Sequence, residues 1–124
     1  MIVDRNRRIR EFLRREFLAE DCRVQEAKSE YEVMRIIDSD VPPDLIILDL
    51  DLPVECAFSL LGRLKEWEPP IPVVIYTFLT DFSNLPAVQF ADAFVEKCED
   101  LTQLKQSVAD VLRRRYPQRH AQAQ

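Results

Sequence analysis

Four side chains with chemical potential sit at the ends of apolar runs in this sequence. The run LIILDLDLP, residues 45 to 53, is the most conspicuous, because Asp49 and Asp51 stand one residue apart just before Pro53. An unpaired buried carboxylate costs roughly several kcal/mol, so a strand that carries one delivers it to an open edge, a metal or a cationic partner. Asp4 closes the run that starts at Met1, Thr77 closes Val73 to Tyr76, and Lys97 comes just after Ala93 to Val95. Two acids, a hydroxyl and an ammonium are the ingredients of a site that handles anions or a divalent cation by position and charge. Asp49 tolerates its place if Lys97, or a divalent cation, shares the rim and keeps the carboxylate ionised as a nucleophile. Asp51, two residues further on, is read as lying in the loop with its side chain facing elsewhere and solvated, while its backbone carbonyl can still face a cation.

Bringing these residues together is the task of the elements between them. Asn6 reads as the cap of a first helix with Ile9, Phe12, Leu13, Phe17 and Leu18 on its inner face. Cys22 to Ala27 reads as a short strand, and Ser29 with Glu32 forms a capping box ahead of Val33, Met34 and Ile37. Pro42 and Pro43 break the chain before the strand Leu45 to Leu48, and Phe58, Leu60, Leu61 and Leu64 mark a third helix ending near Trp67. Val73 to Tyr76 form the next strand. A fourth helix is expected to be short or irregular, around Leu85, Val88 and Gln89, because Pro86 falls inside it. Ala93 to Val95 make the last strand, and Asp100 with Gln103 caps a final helix whose inner face is Leu101, Leu104, Val108, Val111 and Leu112. Strands that are apolar throughout and separated by helices indicate a parallel sheet covered on both faces. In such sheets functional groups collect beyond the carboxyl ends of the strands, where all four residues would then meet.

Composition excludes a good deal. At 124 residues and 47% hydrophobic content the chain is the size of one domain, expected to span residues 1–115, with 116–124 a disordered tail. The single histidine, His120, lies in that tail, so neither a histidine-based nucleophile triad nor a histidine metal site can be built in the body. The single glycine, Gly62, leaves no glycine-rich phosphate loop. Three widely spaced cysteines, Cys22, Cys56 and Cys98, argue for free thiols. No apolar run is long enough for a membrane span or a secretory leader, which points to a cytoplasmic protein without a membrane partner. The net charge of −5 is uneven: residues 1–18 carry six Arg and residues 113–124 four, while the middle is strongly acidic. The arginines are not interleaved with stacking aromatics, so nucleic acid is not an expected partner.

At these positions the chain resembles the receiver domains of two-component response regulators. The family pattern is an acid pair after the first strand, a phosphoacceptor Asp four residues before a Pro after the third, a Thr or Ser after the fourth and a Lys after the fifth. Asp4 matches the first acid, Asp49 with Pro53 the phosphoacceptor, Thr77 the hydroxyl and Lys97 the lysine; Phe94, three before Lys97, matches the aromatic switch. The resemblance implies a single-domain, flavodoxin-like (βα)5 fold with strand order 2-1-3-4-5. It also implies phosphoryl transfer to Asp49 from a histidine kinase or phosphotransfer protein, with Lys97 and Thr77 on the phosphoryl oxygens and Phe94 following the Thr77 shift. Output would be a protein contact, with the downstream partner unnamed and a homodimer admissible. With no effector domain after the last helix, the chain reads as a stand-alone receiver, a signalling domain rather than an enzyme.

Departures from the pattern bear on mechanism. Arg5 stands where the second metal-binding acid belongs, which removes an oxygen ligand and adds a repelling charge. Mg²⁺ binding through Asp4, Asp49 and the Asp51 carbonyl is therefore expected to be weak or absent. Arg5 either takes the cation's place, pairing with Asp4 or Asp49, or swings outward as the first of the helix arginines. Cys98 replaces the proline that follows the lysine in the family, and Cys56-Ala57 replaces an Asp-Gly. A pseudo-receiver that binds partners without being phosphorylated is the main alternative. A haloacid-dehalogenase-type phosphatase, with Asp49 as nucleophile and Asp51 as general acid, is a minor one.

Overall fold

The computed structural model describes residues 1–50, 54–78 and 89–118, with residues 54–56 described through their helical backbone only. The described residues form, in order, β1 (Ile2–Val3), α1 (Arg7–Leu18), β2 (Glu26–Ala27), α2 (Glu30–Ile37), β3 (Ile46–Leu48), α3 (Val54–Glu66), β4 (Val73–Thr77), β5 (Ala93–Glu96) and α4 (Thr102–Arg115). The five strands form one parallel sheet of order β2-β1-β3-β4-β5, as the alternation of apolar runs and helices predicts. Of the expected fourth helix around Leu85, Val88 and Gln89, Leu85 and Val88 lie outside the described residues, as does most of the expected tail, while Gln89 falls in a short 3₁₀ turn with Phe90.

Alternation along the strands splits the core into two layers, because successive side chains point to opposite faces of a sheet. Val3, Ile46, Leu48, Val73 and Ile75 pack with Val33 and Ile37 of α2 and with Leu60, Leu61 and Leu64 of α3. Ile2, Ile47, Val74, Tyr76 and Val95 pack instead with Leu13 and Phe17 of α1 and with Leu104, Val108 and Val111 of α4. Among the described residues, two helices therefore pack on each face. Cross-links between elements sit at the edges: Glu26 takes Arg14 at 3.0 Å and Arg10 at 3.4 Å, holding α1 against β2, and Lys105 of α4 reaches Glu16 of α1 at 3.2 Å and Glu20, just past its end, at 3.3 Å. Among the described residues no helix is long and apolar enough to cross a membrane.

Local chemistry sets the helix starts. The Asn6 side chain accepts from the backbone of Arg8 and Ile9 at 2.9 and 3.3 Å, which satisfies two of the free N–H groups at the start of α1. Ser29 caps α2 by accepting from Glu32 N–H at 3.2 Å, and the Glu32 carboxylate returns to Lys28 N–H at 2.7 Å, one residue earlier than a capping box requires. At α4 the Asp100 carboxylate accepts from both Thr102 N–H and Thr102 Oγ1, at 2.9 and 2.6 Å, while Leu101 is the capping residue; the expected return bond from Gln103 is replaced by the Thr102 hydroxyl.

Three sequence expectations change in detail. The second strand shrinks from six residues to Glu26–Ala27, since its neighbour β1 offers only Ile2 and Val3 to pair with. Leu18 is 48% exposed rather than inward, because Phe17 takes the inner position and the next residue lies 100° further round the helix. The last strand runs on to Glu96, whose backbone pairs with Thr77.

Candidate functional site

Parallel pairing fixes the rim. Val3 is in register with Leu48, so Asp4 and Asp49 leave neighbouring strands at one height. Their backbones remain tied into the sheet edge, with Asp4 N–H donating to Ala27 O at 3.1 Å and Asp49 N–H to Val3 O at 3.0 Å. Leu48 is in register with Ile75 and Tyr76 with Val95, which sets Thr77 and then Lys97 at the same end. Lys97 N–H donates to Thr77 O at 2.7 Å, extending the ladder by one bond and aiming the lysine stem back across β4.

The Lys97 ammonium reaches both acids. Nζ donates to Asp4 Oδ2 at 2.8 Å and to Asp49 Oδ2 at 3.0 Å, and the three side chains are each only 4% exposed. Asp4 is further held by Asn6 N–H, which donates to Oδ1 at 2.8 Å, and its carbonyl accepts from Arg10 Nη1 at 2.6 Å. Thr77 is fully buried, and its Oγ1 has no hydrogen-bond partner among the described residues. Leaving a buried hydroxyl unbonded costs about 1–3 kcal/mol, so the position is one that an incoming acceptor would relieve.

Electrostatics follow from the count of charges. Two carboxylates and one ammonium make a buried cluster of net charge −1. Burial raises the Asp4 carboxyl above its ordinary value; bonds from Lys97 and Asn6 pull it back and the neighbouring Asp49 charge adds to the rise. Burial works against the Lys97 ammonium, yet the bonds to Asp4 and Asp49 outweigh it and the net shift is upward. The lysine is a stable cation here.

The expected residues divide as follows. Asp4, Asp49 and Lys97 are joined by hydrogen bonds, and Thr77 stands at the same rim one strand away. Phe94 is half-buried in β5, opposite Ile75, and packs against the layer formed with α2 and α3. Arg5 is exposed. Asp51 lies outside the described residues, so its carbonyl and side chain cannot be placed. Among the described residues the one cis peptide bond is Glu68–Pro69; the bond after Lys97 is trans.

Two aromatic neighbours escape the sequence reading. The Phe78 ring centroid is 5.0 Å from Lys97 Nζ and the Tyr76 centroid 6.0 Å, both within cation–π range. Their sequence signal is an aromatic on each side of Thr77, at the i and i+2 spacing that shares one side of an extended segment.

The donor set fits a divalent cation poorly. Mg²⁺ takes six oxygen ligands at near-octahedral angles. Here the two carboxylates that could start such a shell both accept from an ammonium, the adjacent position is an arginine, and among the described residues no group of three acidic, cysteine or histidine side chains converges.

Comparison with known proteins adds to this geometry. The family model described as response regulator receiver domain matches residues 1–109. The Fimbriae Z protein of Escherichia coli strain K12 is 34% identical over 73 residues, a match that spans 57% of this chain and 35% of that protein's length. Among solved structures, the response regulator TrrA of Thermotoga maritima in complex with Mg²⁺-BeF aligns with a TM-score of 0.81 at 23% identity, covering 90% of this chain and 96% of that one. TrrA bound to the histidine kinase ThkA aligns with a TM-score of 0.77 over 90% of this chain and 95% of that one, again at 23% identity. A LuxR-family two-component response regulator from Aurantimonas is 28% identical with a TM-score of 0.73, covering 90% of this chain and 82% of that one.

Proposed function

The chain belongs to the response regulator receiver domain family, and on that premise we propose that it accepts a phosphoryl group on Asp49 from a histidine kinase or phosphotransfer protein and passes the signal on by protein contact. One observation carries the reading: the Lys97 ammonium lies 3.0 Å from Asp49 Oδ2, while the buried Thr77 hydroxyl at the same rim has no partner among the described residues. Both donors suit an anion that is yet to arrive.

The reaction needs little more than position and charge. A carboxylate oxygen of Asp49 attacks the phosphorus of a phosphoimidazole; the O–P bond forms as the P–N bond breaks, and the ring nitrogen keeps the electron pair. The product is an acyl phosphate on Asp49. Lys97 donates to the phosphoryl oxygens, neutralising charge that builds in the transition state, and Thr77 O–H supplies a second donor from β4. Since these donors are already held by the sheet, little reorganisation accompanies the step. As Thr77 moves toward the phosphoryl group it leaves space beneath β4, and the half-buried Phe94 ring follows inward, altering the surface that a downstream protein meets.

The chain's own cations carry the counter-charge in this scheme. Mg²⁺ binding is weak or absent, because Arg5 replaces a ligand and Lys97 already occupies both carboxylates. No step above runs through a metal.

The pseudo-receiver reading rests on the same bridge. A lysine bonded to two acids can hold the rim in one state, and Arg5 removes part of the usual charge pattern. Exposure to a small phosphodonor, with and without Mg²⁺, followed by intact-mass measurement, separates the two. The proposal requires a phosphoryl adduct on the wild type that Asp49→Asn abolishes; no adduct in either condition leaves a binding module.

A further inference from the structure

Burial presents the proposed reaction with an access problem. Asp49 is 3% exposed and Lys97 7%, whereas a donor phosphorus has to approach a carboxylate oxygen to about 3–3.5 Å. Some group over the rim has to move.

Phe78 stands in the right place. Phe78 is 58% exposed, yet its ring centroid lies 5.0 Å from the buried Lys97 Nζ, so the residue links the surface to the ammonium. Tyr76 contrasts with it: that ring is 6.0 Å from Nζ but only 5% exposed, and its hydroxyl donates to Cys98 O at 3.1 Å, so it is anchored in the core layer. A ring with more than half its surface in water is held weakly by apolar packing. The attraction between its face and the ammonium is then a main part of what keeps it over the rim. A single contact of this kind permits displacement by a docking donor.

We infer that Phe78 is a cover and positioning residue for the phosphoryl site, whose ring holds the Lys97 ammonium toward Asp4 and Asp49 and shields Asp49 until a donor displaces it. The inference rests on the receiver function proposed above for the identity of the transferred group. The same ring, returned over the loaded site, excludes the water that would attack phosphorus, break the O–P bond and release inorganic phosphate with the Asp49 carboxylate. Removing it therefore accelerates both loading from a small donor and loss of the phosphoryl group.

Phe78→Ala, Phe78→Leu and Phe78→Tyr separate cover from bulk. Two rates are followed by intact mass, phosphorylation by a small acyl phosphate and decay of the adduct after the donor is removed. A third needs no phosphorylation: acylation of Lys97 by an amine-reactive reagent, read by peptide mass. Phe78→Ala is expected to raise all three by about threefold to tenfold, Phe78→Leu by less, and Phe78→Tyr to stay within twofold of wild type, since it keeps the ring face. Lys97 acylation unchanged in Phe78→Ala, or decay unchanged or slower, overturns the inference. If no variant takes a phosphoryl group while Phe78→Ala still speeds Lys97 acylation, the cover stands and the receiver function falls.

Discussion

Replacing Thr77 by valine is expected to push stability and function in opposite directions. Thr77 is the last residue of β4, fully buried, with Oγ1 unpartnered among the described residues. A buried hydroxyl without a bond costs about 1–3 kcal/mol relative to its hydrated state. Valine has the same branched shape, keeps the strand preference and puts a methyl group where the hydroxyl was. The resting protein should therefore gain about 1–2 kcal/mol, which for a domain of this length is a rise in Tm of roughly 3–8 °C. The phosphorylated state loses a donor to an anionic oxygen, and such bonds are worth about 1.5–3 kcal/mol. Loading of Asp49 should slow by about tenfold to a hundredfold if the bond is already formed in the transition state.

Denaturant unfolding of the unphosphorylated protein reads the first effect, as a higher midpoint at unchanged slope. Intact mass after a timed exposure to a small phosphodonor reads the second. Thr77→Ser is the control, since it keeps the hydroxyl and gives up one methyl group: loading stays near wild type and stability falls by about 1 kcal/mol. A Thr77→Val protein that is less stable than wild type by more than about 0.5 kcal/mol, or that loads at the wild-type rate, refutes the reasoning, because the hydroxyl would then have a partner at rest or no role in transfer.

Three further outcomes are expected. Lys97→Met strands two carboxylates whose side chains are 4% exposed and should destabilise the fold by about 3–5 kcal/mol in denaturant unfolding, as breaking buried pairs does; a loss under about 1 kcal/mol would mean that water replaces the ammonium at little cost. Arg5→Asp restores an acid beside Asp4 and should strengthen Mg²⁺ binding at least tenfold by titration calorimetry, and an unchanged affinity would show that the arginine is not what weakens the site. The two bonds from Thr102 hold the Asp100 carboxyl below its usual 3.8, so its contribution to stability is present above that value and lost as pH falls through the lower folded-state value. Unfolding followed from pH 5 to about pH 2 should thus fall less steeply in Asp100→Asn, and equal slopes would show that the capping bonds do not discriminate the charged form.

What the sequence revealed was set by short-range rules, and what it concealed by contacts between strands. Asp4, Asp49, Thr77 and Lys97 could be placed at one rim because each closes an apolar run, and parallel strands necessarily end on the same edge. Helix faces followed from spacing, except at Leu18, where two adjacent apolar residues compete for one inward direction and only Phe17 can take it. The length of β2 depended on how many residues β1 could pair with, a property of another segment. Direction was the least legible quantity at Arg5, since a guanidinium on a long stem is equally compatible with the rim and with solvent; it is exposed. The aromatic neighbours of Lys97 depend on how far its stem crosses β4, which no local pattern encodes.

The bridge at the rim follows from topology before any chemistry is asked of it. With Val3 opposite Leu48, two acids at the next position must stand side by side, and like charges on adjacent strands repel. A cation is needed there. Lys97 supplies it from just beyond β5, with β4 lying between, and its ammonium, 6.0 Å from the Tyr76 ring centroid, serves two acceptors at once. That leaves a net charge of −1 in the buried cluster, with the exposed Arg5 one residue from Asp4 and the Arg10 guanidinium on the Asp4 carbonyl. A pair of acids in place of Asp4 and Arg5 would leave the same rim at −2, the charge that a divalent cation offsets. Arginine in place of an acid thus makes the rim's formal charge more positive by two without supplying an oxygen ligand. On the proposed reading this predisposes the site to transfer governed by Lys97 and Thr77, with the metal dependence of loading reduced in proportion to how far Arg5 stands in for the ion.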